Sequence, residues 1–236
     1  MLLIVFVFGG CRQAADTLQP LQPTRTLRAA FVVVDGVYNS ELMAPMDILQ
    51  HTRFHTQHAI EVFTVAPALD TVTTFEGMRI IPDYAFDSDE LPPIDILVVP
   101  SAEHSMDTDL HNKALIAFVG TRGKQAQFTM SLCDGAFVLA QAGLLSGRLC
   151  TTFPSDVVTM REKFPELDIL EDYSFVHDDR MITSVGGAKS YDAALYLTEI
   201  LYGRAVAKGV AEGLVIEWKL RQIKFKLGSQ PKNLEL

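Results

Sequence analysis

The chain has 236 residues, 48% apolar and 21% charged, with 20 Lys and Arg against 29 Asp and Glu for a net charge of −9. That composition excludes disorder and a polytopic membrane protein. A surplus of acid with no basic stripe interleaved with aromatics repels a phosphate backbone, so no nucleic-acid partner is expected. Three cysteines, Cys11, Cys133 and Cys150, are too few for a disulfide framework. Without CxxC or HExxH spacing, no metal and no cofactor is expected.

Met1 to Phe8 reads MLLIVFVF and ends at Gly9-Gly10-Cys11. The run is far below the roughly 20 residues that span a bilayer. It resembles a bacterial lipoprotein signal of residues 1–10, with small residues before a cysteine that becomes the lipidated amino terminus. That resemblance implies a protein of the bacterial cell envelope, held by a lipid on Cys11 and facing the periplasm or the exterior. The alternative is a short buried strand in a cytoplasmic protein, because LLIVFVF has strong β propensity. Residues 11–26 are polar, carry Pro20 and Pro23 and show no period, which reads as a tether.

From Leu27 apolar runs alternate with amphipathic stretches, the pattern of a parallel α/β sheet. AAFVVVD (29–35), AIEVFTVA (59–66), IDILVVP (94–100) and QFTMSLC (127–133) read as core strands. SELMAPMDILQH (40–51) reads as a helix capped by Ser40, and NKALIAFVGTRGKQ (112–125) as a second. MRIIPDYAF (78–86) suggests an irregular hairpin, and GAFVLAQAGLL (135–145) a helix apolar on nearly every side, hence buried. SDVVTMREKF, LDILEDYSF and MITSVGG continue the alternation, and SYDAALYLTEILYG (190–203) closes it. The rest, 204–236, reads as a helical extension in which EGLVIEWKLRQIKFKL forms an amphipathic helix. Its Leu214, Val215, Ile216, Trp218 and Leu220 need cover, and a homodimer is expected to supply it.

One junction stands out. QFTMSL runs into Cys133, and Asp134-Gly135 runs into the apolar helix with no loop between them. A residue there is held at the top of the sheet and at a helix N-terminus, the geometry of a nucleophile elbow, with Gly135 leaving room for the crossing. The helix end favours thiolate, so a thiol pKa depressed into the range of about 3.5 to 7.5 is expected. The other reading is an ordinary buried cysteine at a strand end.

SLCDGAFVLAQAGLLSGRLCTT (131–152) resembles the elbow segment of the ThiJ/PfpI superfamily, the class I glutamine-amidotransferase-like fold, and most of all its isonitrile-hydratase-like branch and the sensor domains of related transcription regulators. ELMAPMDIL (41–49), DILVVPS (95–101) and ITSVGGAKSYDAALYLTEILYG (182–203) extend the resemblance over 27–203. It implies a flavodoxin-like three-layer sandwich with helices on both faces of a mainly parallel sheet. It also places the family nucleophile at Cys133 and the acidic partner of the sulfur at Glu41. Glu41 is then a protonated carboxyl that bonds to sulfur or gives substrate a proton, or else a first-turn glutamate complementing its helix.

The departures narrow the chemistry. Asp134 stands where protease-like and glyoxalase-like members have an elbow histidine, Phe153 where deglycases have theirs, and Ser101-Ala102 replaces the usual Gly-Gly of the oxyanion loop. The resemblance therefore implies neither a peptidase nor a glutaminase, but small-molecule hydratase or lyase chemistry on an isonitrile-like carbon. Cys133 would attack, Glu41 would give the proton, and the amides of Ala102 and Asp134 would steady charge. The alternative is non-catalytic ligand binding or cysteine-oxidation sensing. His104, past the strand that ends at Pro100, is either a compensating base or a solvated loop residue. Asp134 turns inward as a second carboxylate or outward as a helix-start residue. His51, His55 and His58 read as wet surface, His177 as a hairpin tip and Cys150 as inert core.

Overall fold

A computed structural model describes residues 19–231, 234 and 236, so the readings of Met1–Cys11 and of most of the tether lie outside the described residues. Strand β1 (Leu27–Val32) is buried on both faces. Its Leu27, Ala29 and Phe31 enter one core and Ala30 and Val32 the other, which makes an interior strand of a two-sided parallel sheet. Helix α1 (Asn39–His51) follows, then β2 (Ile60–Ala66), a hairpin of β3 (Val72–Thr73) and β4 (Arg79–Ile80), and a short edge strand β5 (Tyr84–Ala85). Next come β6 (Ile96–Val99), α2 (Lys113–Gln125), β7 (Phe128–Leu132) and α3 (Gly135–Gln141). A small pair, β8 (Leu149–Cys150) and β9 (Asp168–Ile169), brackets α4 (Val157–Lys163). The chain closes with β10 (Phe175–Asp178), β11 (Met181–Ser184), α5 (Ser190–Tyr202), α6 (Arg204–Gly213) and β12 (Phe225–Leu227).

The main sheet has the order β12-β10-β11-β7-β6-β1-β2-β5. All its pairs are parallel except β10 with β11. Helices α1, α5 and α6 cover one face and α2, α3 and α4 the other, completing a flavodoxin-like three-layer sandwich. The fold expectation holds, and it sets β1, β6 and β7 side by side with their carboxyl ends on one edge, where ligands bind in open α/β sheets.

Several local readings need correction. Helix α1 is capped two residues earlier than expected, at Tyr38 rather than Ser40. Helix α3 stops at Gln141 because Gly143 turns left-handed at φ 72°. The expected amphipathic helix over 212–227 does not form: α6 ends at Gly213, Val215 takes φ 58°, and Phe225–Leu227 pairs in parallel with β10 as an edge strand. KLRQIKFK alternates cation and apolar residue closely enough to satisfy the period of a strand, and sheet pairing decides the outcome. Its apolar side chains are already covered, since Trp218 and Leu220 are buried and Leu214 and Ile216 pack on the core, leaving only Val215 bare. The apolar tail therefore gives no reason for a dimer.

Candidate active site

Three connections meet at the carboxyl edge of the sheet. β7 ends at Leu132 and α3 begins at Gly135, so Cys133 and Asp134 make the whole turn, with Cys133 at φ 51°. A left-handed non-glycine residue costs on the order of 1–2 kcal/mol. The turn is held by Cys133 N–H, which donates to Ser184 O at 2.9 Å, and by the fit of Gly135 under β6. A Cβ on Gly135 would lie 2.1 Å from Val99 O, so only glycine lets α3 cross there.

Glu41 comes from the first turn of α1 and is only 4% exposed. Pro45, four residues on, has no N–H to give the Glu41 carbonyl, so the helix is loosened where the side chain turns inward. Oε2 accepts the Ser101 N–H at 3.2 Å and Oε1 the Gly187 N–H at 3.1 Å, and the carboxyl also bonds to the Cys133 sulfur. Glu41 is thus a buried partner of the sulfur and not a surface charge complementing its helix. Asp134 turns inward as well: the Cys133 thiol donates to its Oδ2 at 3.6 Å, and the Thr152 hydroxyl reaches its Oδ1 at 3.1 Å.

Two carboxyls against one sulfur set the electrostatics. Burial raises the pKa of Glu41, although the Gly187 and Ser101 amides pull the other way. Burial first, and the charge of Asp156 second, push Asp134 up to about 6. The thiol of Cys133 is held far above its ordinary range, by burial first and then by Glu41 and Asp134. The expected depressed thiol pKa is therefore corrected. A helix of seven residues, Gly135–Gln141, gives too little field to outweigh desolvation and two acids.

The oxyanion assignment also changes. Ala102 N–H donates to Ser105 Oγ at 2.8 Å and Ser101 N–H to Glu41, so neither amide of the Ser101-Ala102 loop is free for a substrate. The donors that remain beside the sulfur are the Asp134 N–H and the Ser101 hydroxyl, which is buried with no other partner. His104 does not compensate. Its imidazole is 52% exposed and pairs with Asp107 Oδ1 at 3.3 Å. His177 is no hairpin tip: it is buried in β10, its Nδ1 bonded to the Tyr196 hydroxyl at 2.7 Å, and desolvation lowers its pKa to about 4. Cys150 is buried in β8 with its thiol pushed up to about 12.

Four site residues escape the sequence reading. Gly186, at φ 78°, packs so tightly that a Cβ would sit 2.4 Å from Cys133 Cβ and 2.7 Å from Glu41 Oε1. The Gly186-Gly187 pair at a strand end was the available signal. Ser105 and Thr152 are ordinary hydroxyl residues whose roles need coordinates. Tyr38 donates its N–H to Ser101 O at 3.1 Å and packs its ring, tilted by 37°, against Phe75 with centroids 4.6 Å apart. Burial and the nearby Cys133, Glu103, Glu41 and Asp134 raise the pKa of its hydroxyl, which stays a donor at the mouth. Beside this cluster lies a cavity of about 410 Å³ that shares Thr152 with it and is walled by Pro154, Tyr173, Val185, Lys189 and Lys224.

A doubly covered parallel sheet with a cysteine at a strand-to-helix turn, flanked by two buried carboxyls, defines the class. Residues 27–200 match the DJ-1/PfpI family, and the chain belongs to it. It is 26% identical over 179 residues to the isonitrile hydratase of Pseudomonas putida, covering 75% of this chain and 73% of that protein. It is also 26% identical over 142 residues to the HTH-type transcriptional regulator GbdR of Pseudomonas aeruginosa, across 60% of this chain and 37% of the regulator. Drosophila melanogaster DJ-1beta superposes with a TM-score of 0.69 at 22% identity, covering 82% of this chain and all of that one. A THiJ/PfpI family protein from Pseudomonas syringae superposes at 0.71 and 23%, covering 82% and 76%. These two likenesses are to the fold.

With the sulfur held as a thiol, alkylation of Cys133 by iodoacetamide, followed by intact mass, should be slow at pH 7 and climb only above the ordinary thiol pKa of about 8.5. Asp134→Asn should move the midpoint of the pH–rate curve to lower pH by removing one negative neighbour of the thiol. A rate already on its plateau below pH 7 would contradict the assignment.

Proposed function

We propose that this chain carries out hydratase or lyase chemistry on a small electrophilic carbon, isonitrile-like, through Cys133, with Asp134 as base and Glu41 as acid. The observation that carries the reading is the sulfur set between two buried carboxyls, with no imidazole bonded to it among the described residues. The isonitrile hydratase relative supports it. A carboxylate whose pKa has risen to about 6 is a competent base near neutral pH. It also explains how a thiol held so far up can react: the proton leaves as the bond to carbon forms.

In this mechanism the thiol proton passes to Asp134 Oδ2 while Sγ bonds to the terminal carbon of the isonitrile. Glu41 protonates that carbon, and a thioimidate results. Water then adds its oxygen to the same carbon and returns a proton to Glu41. The carbon–sulfur bond breaks, sulfur recovers the proton from Asp134, and the imidic acid so formed moves its hydroxyl proton to nitrogen, giving the N-substituted formamide. The Ser101 hydroxyl and the Asp134 N–H steady the sulfur, and the adjoining cavity houses the substituent on nitrogen.

A second reading, ligand binding or oxidation sensing at Cys133 without turnover, is favoured by the partial match to a transcriptional regulator. Lipid attachment at Cys11 and a homodimer belong to the same proposal. For the dimer, what supports pairing is a bare apolar set: Phe75 and Met78 on the β3–β4 hairpin, and Met43 one turn from Asn39, whose amide touches Met78 Sδ.

Purified protein given a simple alkyl isonitrile should form the formamide. Cys133→Ser should abolish this, and Asp134→Asn should lower kcat/KM by about 100-fold or more. Because the base must be ionised, the rate should fall as pH drops through about 6. No formamide, together with oxygen atoms gained on Cys133 under mild peroxide, would replace the enzyme by the sensor. The mass of the native protein should show residues 1–10 absent and a lipid on Cys11, and sedimentation should give a dimer. An intact Met1 or a monomer at micromolar concentration removes the respective element.

A further inference from the structure

The extension after Gly203 lies beyond the region shared with the family, and its charge runs against the rest of the chain. Residues 204–236 carry seven Lys and Arg against three Glu, whereas residues 1–203 carry 13 Lys and Arg against 26 Asp and Glu. The whole-chain balance hides this surplus, and folding concentrates it. Phe225 and Leu227 pack on the core while Lys224 and Lys226, alternating with them along the edge strand, are exposed. Arg204, Lys219 and Arg221 come together around a cavity of about 210 Å³ whose one acid is Glu199. Glu217 pairs with Lys219 and Glu212 with Lys208, and by count the extension keeps seven cations against three acids.

The amino-terminal segment leaves the body at the same place. Leu21 N–H donates to Ile200 O at 2.9 Å and Gln22 N–H to Leu201 O at 2.8 Å, and Pro20 packs on Gly203, the neighbour of Arg204. From Pro20 back to Cys11 the chain reaches at most about 30 Å. An anchor at Cys11 therefore keeps this face, more than any other, near the surface that holds the lipid.

We infer that the basic face of the extension docks the protein on an anionic phospholipid surface. The inference rests on the lipid-anchor reading of Cys11. Each cation near an anionic leaflet is worth about fivefold in partitioning. The acidic body is repelled by the same surface, so the basic face is the one turned toward it. Nucleic acid offers similar charge, but the tether leaving from this face favours the membrane.

The test is co-sedimentation of the full chain with vesicles of phosphatidylcholine alone or with about 30% phosphatidylglycerol, reading the ratio of the two partition coefficients. Insertion of the apolar leader contributes to both and cancels in the ratio. The expected ratio exceeds tenfold at low ionic strength and collapses toward one at about 0.5 M salt, where the screening length is a few ångströms. Replacing Arg204, Arg221, Lys224 and Lys226 by Glu should remove the preference. The same net change at Arg53, Lys113, Lys124 and Lys163 should leave it within twofold. A ratio near one for the wild type, or tighter binding to duplex DNA than to the anionic vesicles, overturns the inference. A lipid on Cys11 without an anionic preference sinks the docking face and spares the anchor, and the reverse result spares the docking face.

Discussion

The crowding of one sulfur between two buried carboxyls is the constraint around which the site is arranged. Desolvation penalises every charge there, so of Cys133, Glu41 and Asp134 the sulfur, lying between two acids, suffers most. The amides of Ser101 and Gly187 go to Glu41 and the Thr152 hydroxyl to Asp134. These bonds stabilise carboxyls that would otherwise be costly to bury, and they spend donors a substrate anion would need. An account built on Asp134 as base and on proton transfer concerted with attack suits such a site better than one built on a resting thiolate.

Close backbone approach makes the crowding possible. Glycine at 135 lets α3 cross β6 and glycine at 186 lets the loop after β11 press on Cys133 Cβ. The left-handed turn at Cys133 aims the side chain between them. The sheet order places the ends of β1, β6 and β7 side by side, so helix α1 can bring Glu41 from one side while β6 supplies Ser101. Fold and site are therefore one arrangement: β1, β6, β7 and β11 build the core, and the segments that follow them deliver Glu41, Ser101, Cys133 with Asp134, and Gly187 to its carboxyl edge.

Much of this was legible in the residues. Apolar runs buried on both faces give a parallel sheet without further information, and a strand running straight into an apolar helix through Cys-Asp-Gly marks the turn. Glu41 is named through the family resemblance, which sets an acidic partner of the sulfur on the helix after the first strand. What could not be read depends on contacts between distant segments. Whether Asp134 turns inward is decided by Thr152, and the Ala102 amide is lost to Ser105, three residues along a loop with no periodic signal. His177 looked like a tip residue because Asp178 and Asp179 follow it, yet strand pairing with β12 buries it. The helix expected over 212–227 failed for the same reason, since an edge strand satisfied the same apolar residues. A depressed thiol pKa follows from a helix end taken alone and disappears once two acids are set beside the sulfur.

The central claim concerns the protonation of this cluster, and the most direct measurement is a carbon-13 NMR titration of the Asp134 carboxyl in the wild-type protein. A midpoint near pH 6, with the Cys133 Cβ shift still that of a thiol at pH 8, is the predicted result. An Asp134 midpoint near the ordinary 3.8, or a Cys133 that is already thiolate at neutral pH, would contradict it.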